Sequence, residues 1–218
     1  MSAMQLRRAG AADLDSVLAV KRALPMPGSD ATNRGGFLLG SDPATYATLL
    51  AVARVWLLEL DEQVVGFSVT LDDPVLRASE VWQRREHIDW APEFDHEAKL
   101  DSRIGYFDQL AVLPDTRARY WGAALGLRAL AELFEVEGHD LVLTTTVIEP
   151  IRNNAALPYL ARAGARRVGR LDEHYPGVGR VCSALHALEA VDFERAIAGQ
   201  LRSKRPGARR VFEASRPS

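Results

Sequence analysis

The sequence predicts a mixed α/β fold built around one sheet. Two near-continuous apolar runs, IGYFDQLAVL (104–113) and DLVLTTTVI (140–148), are typical of central strands covered on both faces. Segments whose apolar residues recur at helical spacing separate these runs from each other and from shorter strands. Alternation of strands and helices along 218 residues therefore indicates an open sheet flanked by helices.

The first part of the chain indicates a strand, two helices and a hairpin. MQLRRAG alternates weakly, and AADLDSVLAVKRAL then has helical periodicity. Proline and glycine mark residues 25–36 as a loop, and Asp42 before Pro43 is a typical helix start. VWLLEL, DEQ and VVGFSVTL predict two strands joined by a tight turn.

The segment 72–103 is long for a connection inside a compact domain. It contains nine carboxylates, five basic residues, two histidines and two tryptophans. Such connections are usually lids, binding loops or disordered segments, and Trp82 and Trp90 favour a packed lid. His87 and His96 are more typical of surface or packing histidines than of catalytic ones.

The second part of the chain adds two helices and two strands to the central pair. Pro114 ends the strand that begins at residue 104, and the helix after RARYW is predicted to extend to about Gly138. NNAALPYLARAGA is predicted to be a short helix capped by Asn153 or Asn154 and ended by Gly164. Two strands follow, and residues 191–218 are predicted to form a helix that leads into a loosely held basic tail.

Composition argues against several classes of protein. A net charge of −2 provides no global field for nucleic acid or an acidic membrane. The single cysteine, Cys182, allows no intrachain disulfide and is most simply a core residue, and no group of residues has metal-ligand spacing. Without an apolar signal-peptide core or a membrane-length apolar run, a cytoplasmic protein is expected.

The stretch VLPDTRARYWGAA (112–124) is the main candidate for a ligand site. A helix N-terminus leaves about four N–H groups without partners, and such a terminus binds phosphate. Arg117 and Arg119 add positive charge, while Gly122 and Ala123 keep the surface low. Taken alone, the stretch is better explained as a capped surface helix with solvated arginines. Neither the Walker pattern nor the dinucleotide glycine pattern is present.

Two motifs together resemble the GNAT superfamily of acyl-CoA N-acyltransferases. In that family a strand ending V-x-P precedes R/Q-x-x-G-x-G/A and a long helix, which matches Val112, Pro114, Arg117, Gly122 and Leu125. An N-x-x-A motif, an aromatic residue and a helix-closing glycine follow, which matches Asn153, Ala156, Tyr159 and Gly164.

The resemblance covers about residues 4–188 and includes the order of the elements. It implies one domain over residues 1–190, with a mixed, mostly antiparallel sheet of about seven strands splayed at the two central strands. The insertion with aromatic residues also resembles a bacterial branch of the superfamily. Many relatives are dimers, so a homodimer is a further expectation.

An acetyl-CoA site is what the resemblance implies. The pyrophosphate would lie on the backbone of Arg117, Ala118, Arg119, Tyr120, Trp121, Gly122 and Ala123. The pantetheine arm would pair with the strand edge at Leu110, Ala111 and Val112 and would hydrogen-bond Asn153 or Asn154. A backbone N–H near Val112 would polarise the thioester carbonyl.

Three residues are candidates for moving protons. Strand alternation places Asp108 on the same face as Leu110 and Val112, so it could take the proton of an amine; a buried ion pair with an arginine explains it equally well. Glu149 is a second candidate base. Tyr159 could protonate the leaving thiolate, or it could be a core aromatic residue.

Two positions depart from the family pattern. Tyr120 stands where the family has its first loop glycine, and Leu160 stands where the family has its tyrosine.

From the resemblance we expect an N-acetyltransferase that acts on a primary amine of a small molecule or protein in a ternary complex, with a non-catalytic acyl-CoA-binding module as the alternative. The acidic insertion could attract a cationic amine, with its tryptophans clasping an apolar part; a solvated charged loop fits the sequence as well. Nucleic-acid binding through residues 202–218 is disfavoured by the net charge.

Overall fold

A computed structural model describes residues 4–27, 36–40, 42–99, 101–175, 177–202 and 206–216. The strands are β1 (Met4–Arg8), β2 (Arg54–Leu60), β3 (Gln63–Leu71), β4 (Ile88–Trp90), β5 (Ile104–Val112), β6 (Leu141–Glu149), β7 (Arg166–Tyr175) and β8 (Gly179–Glu189). The α-helices are α1 (Leu14–Arg22), α2 (Pro43–Val52), α3 (Asp73–Ala78), α4 (Glu80–Gln83), α5 (His96–Lys99), α6 (Thr116–Ala131), α7 (Leu157–Ala163), α8 (Ala190–Leu201) and α9 (Pro206–Ser215). Short 3-10 turns cover Ala11–Asp13 and Arg84–His87, and a π-helical turn covers Glu132–Val136.

The described strands form one mixed sheet in the order β1-β2-β3-β5-β6-β8-β7-β4. The β5–β6 pair is parallel and the other neighbouring pairs are antiparallel. This arrangement confirms the predicted mixed, mostly antiparallel sheet. The sheet has eight strands instead of about seven, because the 72–103 insertion adds β4 beside β7 at one edge.

The two central strands separate along most of their length. β5 and β6 are each nine residues long, but they pair only where Ile104–Tyr106 lies beside Leu141–Leu143. Beyond Tyr106 the strands diverge, which confirms the predicted splay. One edge of β5 therefore faces a gap in the sheet instead of a neighbouring strand.

Side chains of the strands alternate between two cores. On one face, Leu57 and Phe67 pack with Val17 of α1. On the opposite face, Leu58 packs with Leu125 of α6, which follows from the period-2 alternation of a strand. The sheet is thus covered by α1 and α2 on one side and by α6 on the other.

The insertion is packed, as its tryptophans suggest. Leu76 and Phe94 are buried in a core shared with β5, β6 and β7. Trp82 lies under the guanidinium groups of Arg77 and Arg85, at 4.8 and 4.9 Å from the ring centroid. The other tryptophan, at position 90, stacks on the rings of residues 94 and 96. Both tryptophans contact side chains of the insertion itself, and both remain partly exposed.

The C-terminal segment is more ordered than the sequence suggested. α9 packs against α6 and α8, with Val211 and Phe212 buried in their shared core. A loosely held tail is therefore the wrong description for residues 206–216, because two apolar side chains fix this helix. Residues 203–205 and 217–218, and most of the predicted 25–36 loop, lie outside the described residues. No described helix has both the length and the apolar character needed to cross a lipid bilayer.

Candidate functional site

A β-bulge in β5 decides where Asp108 lies. The pairing of β3 with β5 shifts between Val69 opposite Gln109 and Thr70 opposite Phe107, so Asp108 is the additional residue. A bulge breaks strict alternation. The alternation argument that put Asp108 on the face of Leu110 and Val112 is therefore wrong.

Asp108 instead belongs to the face covered by α2 and the insertion. Its carboxylate accepts a 3.0 Å hydrogen bond from Gln109 Nε2, and Gln109 Oε1 accepts a 2.9 Å bond from the Tyr46 hydroxyl. Asp108 is partly buried, and this burial raises the pKa of its carboxyl above the ordinary range, against the opposing effect of Gln109. A carboxylate with a raised pKa is a better proton acceptor at neutral pH.

Three phenols lie within electrostatic reach of this carboxylate. Tyr46 and Tyr106 are buried, and burial together with the charge of Asp108 raises the pKa of both phenols. The Tyr106 hydroxyl is 2.9 Å from Thr145 Oγ1 on β6. Burial raises the pKa of Tyr175 as well. These neutral hydroxyls make the surroundings of Asp108 polar without adding charge.

An ion pair between the insertion and β7 completes this face. Arg84 Nη1 donates a hydrogen bond to Glu173 Oε1. The charge of Glu173 further raises the pKa of Asp108, and the charge of Arg84 lowers it. Asp108 therefore lies within electrostatic reach of both partners, although Arg84 pairs directly with Glu173. The alternative for Asp108 was an ion pair with an arginine, but the arginine on this face pairs with Glu173.

The opposite face of the gap brings Tyr159 to α6. Its hydroxyl donates to the Arg119 carbonyl at 3.4 Å. A Cβ built on Gly122 would be 3.3 Å from that hydroxyl and 2.9 Å from Val112 Cγ2, so these three residues adjoin each other. Burial raises the pKa of Tyr159, against the charges of Arg162 and Arg119. A protonated phenol thus lies close to Val112.

The start of α7 explains how Tyr159 reaches this position. α7 begins at Leu157 after Ala156, so Pro158 falls in the first turn, where a missing N–H costs little. The predicted cap by Asn153 or Asn154 is therefore wrong, because the helix starts later than the sequence suggested. Gly164 ends α7 with φ of +91°, as predicted.

The start of α6 differs from the predicted phosphate seat. The helix begins at Thr116, not after RARYW, because Asp115 caps it: Asp115 Oδ1 accepts from the N–H groups of Arg117 and Ala118 at 2.8 and 3.0 Å. Arg119 N–H donates to the Asp115 carbonyl. Tyr120 to Ala123 lie inside the helix, where each N–H bonds to a carbonyl one turn earlier. A diphosphate therefore meets a carboxylate at this terminus while Asp115 keeps its present rotamer.

The side chains at the start of α6 contact other parts of the chain. Arg117 is about half exposed and pairs with Asp61 at 3.0 Å. The Tyr120 side chain faces outward, and its hydroxyl donates to the Gly207 carbonyl of α9 at 3.2 Å. Since Tyr120 has helical geometry, a side chain at the family's glycine position causes no backbone strain. Trp121 stacks edge-on against Tyr120 and lies under the guanidinium of Arg210.

The gap itself has features that suit an extended amide-containing chain. Leu113 N–H donates to Val65 on the β3 side, so by strand alternation the N–H groups of Val112 and Leu110 point into the gap, while Ala111 faces β3. Asn153 Nδ2 donates to the Phe37 carbonyl, and its Oδ1 is buried with no partner among the described residues. A buried unpaired acceptor is costly. The pantetheine part of the implied coenzyme would fit these groups, with Asn153 Oδ1 available as a hydrogen-bond acceptor.

The remaining candidates lie away from this arrangement. Glu149 is exposed at the last position of β6, Asn154 is exposed beyond it, and His87 is exposed on the insertion. Cys182 is buried on β8, and burial raises the pKa of its thiol. Sequence reasoning missed Arg84, Glu173, Tyr46 and Tyr175, for which no local pattern existed, and it missed the capping role of Asp115, which the position before a helix did signal.

Comparisons with known proteins agree with the fold. No family model and no curated protein matches the chain by sequence. Among solved structures, Arabidopsis thaliana NAA60 in complex with acetyl-CoA aligns with a TM-score of 0.61 at 16% identity, covering 86% of this chain and 98% of that one.

Two further structures align over similar shares. The ribosomal-protein-S18-alanine N-acetyltransferase of Escherichia coli gives a TM-score of 0.57 at 16% identity, covering 86% of this chain and 94% of that one. The loading GNATL domain of CurA from Lyngbya majuscula gives 0.57 at 16% identity, covering 87% and 98%. Sequence identities this low show similarity of fold alone. Together with the splayed central strands, they show that this chain has the fold of the GNAT superfamily of acyl-CoA N-acyltransferases.

Proposed function

We propose that this protein is an acetyl-CoA-dependent N-acetyltransferase that acts on a primary amine by direct transfer in a ternary complex. The observation that carries this proposal is a splayed pair of central strands with Asp108 on one face and Tyr159 on the other. The fold supports the choice of donor, since a solved neighbour, NAA60, has been crystallised with acetyl-CoA.

In this proposal each residue has one task. Asp108 accepts a proton from the incoming ammonium, and the neutral nitrogen attacks the thioester carbon. The N–H of Val112 stabilises the oxyanion that forms as the C–N bond is made. Tyr159 donates its proton to the thiolate when the C–S bond breaks. The products are an acetamide and the free thiol of coenzyme A.

Coenzyme binding combines an amide-lined gap with cationic side chains. The N–H groups of Val112 and Leu110 and the Oδ1 of Asn153 would hold the pantetheine arm. Arg117 and Arg119 would provide the positive charge that faces the diphosphate. Asp115 would have to rotate away before the backbone N–H groups of Arg117 and Ala118 could join them.

The acceptor is a primary amine of a small molecule or a protein. Structural neighbours include an enzyme that acetylates the alanine of a ribosomal protein and a spermidine N-acetyltransferase chimera. The fold therefore accommodates both kinds of acceptor, and it does not by itself choose between them.

Two measurements test the proposal. Calorimetric titration with acetyl-CoA measures binding, and thiol release across a panel of amines measures turnover. Binding with amine-dependent thiol release supports the enzyme. Binding without release on any amine supports the non-catalytic acyl-CoA-binding module, and no binding at all would reject both.

A further inference from the structure

The insertion places the guanidinium of Arg84 on the face of the sheet that carries Asp108, where the acceptor amine is proposed to bind. Arg84 follows α4, its Nη1 donates to Glu173 Oε1, and its Nε donates to the Glu80 carbonyl at 3.3 Å. The Glu173 side chain is 10% exposed and that of Arg84 is 40% exposed. The carboxylate therefore lies beneath the guanidinium, which separates it from solvent.

The position of this ion pair is set by the sheet. Glu173 is on β7, and the insertion is fixed to the same strand because β4 pairs with β7 from Ile88 opposite Leu171 to Trp90 opposite Gly169. Arg84 is four residues before β4, so it cannot move far from Glu173 while that pairing lasts. Tyr175, two residues further along β7, lies on the same face and is influenced by both charges.

The charges around Asp108 restrict how many positive charges the acceptor can carry near its reacting nitrogen. The charges of Arg84 and Glu173 act on Asp108 in opposite directions, and Arg84 is already paired with Glu173. One ionised carboxylate, Asp108, is left without an opposite charge. A single ammonium neutralises it, whereas a second ammonium nearby would meet a guanidinium that is already held in place.

We propose that Arg84 is a specificity-determining residue that limits the acceptor to primary amines carrying no second positive charge near the reacting nitrogen. This inference rests on the proposed function for its reaction but concerns recognition, which can be measured without turnover. The buried carboxylate of Glu173 is a second cation site that Arg84 occupies.

Removing Arg84 should therefore change the preferred acceptor. We compare 1-aminopentane with 1,5-diaminopentane, which differ by one ammonium, in wild type and Arg84→Gln. In the variant Glu173 is left buried and unpaired, so a second ammonium gains a partner. We expect the ratio of kcat/KM for the diamine over the monoamine to rise about tenfold or more, since a tenfold change corresponds to about 1.4 kcal/mol.

Three variants control for other causes. Arg84→Lys keeps the charge and should keep the wild-type ratio. The double variant Arg84→Gln with Glu173→Gln removes both charges and should return the ratio toward wild type. Arg85→Gln removes the neighbouring charge, which lies over the ring of Trp82 and pairs with Glu86, and should leave the ratio unchanged.

Thermal shifts with the two amines separate this inference from the proposed function. A larger diamine-induced rise in Tm for Arg84→Gln than for wild type supports the inference even if no amine is acetylated. Turnover on both amines with an unchanged ratio in Arg84→Gln overturns the inference and leaves the enzyme assignment standing. An equal change in Arg85→Gln also overturns it, because general charge would then explain the effect.

Discussion

Replacing Asp108 with asparagine should separate its chemical role from its structural one. The two side chains are nearly isosteric, and an amide oxygen can still accept the 3.0 Å hydrogen bond from Gln109 Nε2. The substitution therefore removes a charge and a proton acceptor while leaving the packing in place. Because a general base typically contributes about 10²- to 10⁴-fold, we expect kcat/KM for the amine to fall by that factor with little change in acetyl-CoA affinity.

The same substitution should stabilise the protein, and the gain should depend on pH. Burial raises the pKa of Asp108, so the folded state binds its proton more tightly than the unfolded state does. The ionised carboxylate therefore costs stability as pH rises from the unfolded value of about 4 through the raised folded value, by about 1.4 kcal/mol for each unit of difference. Asp108→Asn should match wild type at the acidic end and exceed it at neutral pH.

Thermal unfolding and steady-state kinetics of both proteins across pH check the two halves of this prediction. In wild type, kcat/KM should fall as pH drops through the raised pKa of Asp108, and the variant should lack that limb. Asp89→Asn, at an exposed position on β4, is the matched control and should change neither profile. A variant that keeps wild-type activity at neutral pH would refute Asp108 as the base. A variant that loses stability at neutral pH would refute the conclusion that the ionised carboxylate of Asp108 destabilises the folded state.

Three other substitutions test the opposite face of the gap. Tyr159→Phe should lower kcat by roughly 10²-fold without weakening acetyl-CoA binding, and an unchanged rate of thiol release would mean that solvent protonates the thiolate. Arg117→Glu should weaken acetyl-CoA binding tenfold or more, about 1.4 kcal/mol by titration, whereas Arg195→Glu on α8 should not. Asp115→Ala should cost about 0.5–2 kcal/mol of unfolding free energy through loss of the cap. It should also tighten coenzyme binding, since it frees two backbone N–H groups; weaker binding would show that the cap does not compete with the diphosphate.

The parts of the fold that the sequence predicted correctly depend on apolar patterning over whole segments. The central runs at 104–113 and 140–148 form β5 and β6, and the hairpin before them forms β2 and β3. Gly164 ends its helix because glycine, which has no Cβ, adopts positive φ at little cost. Such signals are averaged over many residues, so an error at one position leaves the prediction intact.

The site depends on single-residue geometry, which such patterns do not encode. One bulge in β5 moved Asp108 to the face of α2, although the strand itself was predicted within one residue. The pairing of Arg84 with Glu173 joins residues 89 positions apart through the pairing of β4 with β7. Neither the bulge nor the ion pair can be recognised in the local sequence, because both depend on the register in which the strands pair.

The departure at Tyr120 and the unexpected order of the C-terminal segment are explained by one contact. A tyrosine at the family's glycine position looks like a defect in a phosphate loop if residues 117–122 are a loop. Capping by Asp115 makes those residues helical, and a helical tyrosine points its hydroxyl outward, where it donates to the Gly207 carbonyl of α9. In turn α9 buries Val211 and Phe212 against the same helix. The tyrosine thus serves helix packing, and the chemistry proposed for this turn depends on the arginines beside it and not on a glycine at position 120.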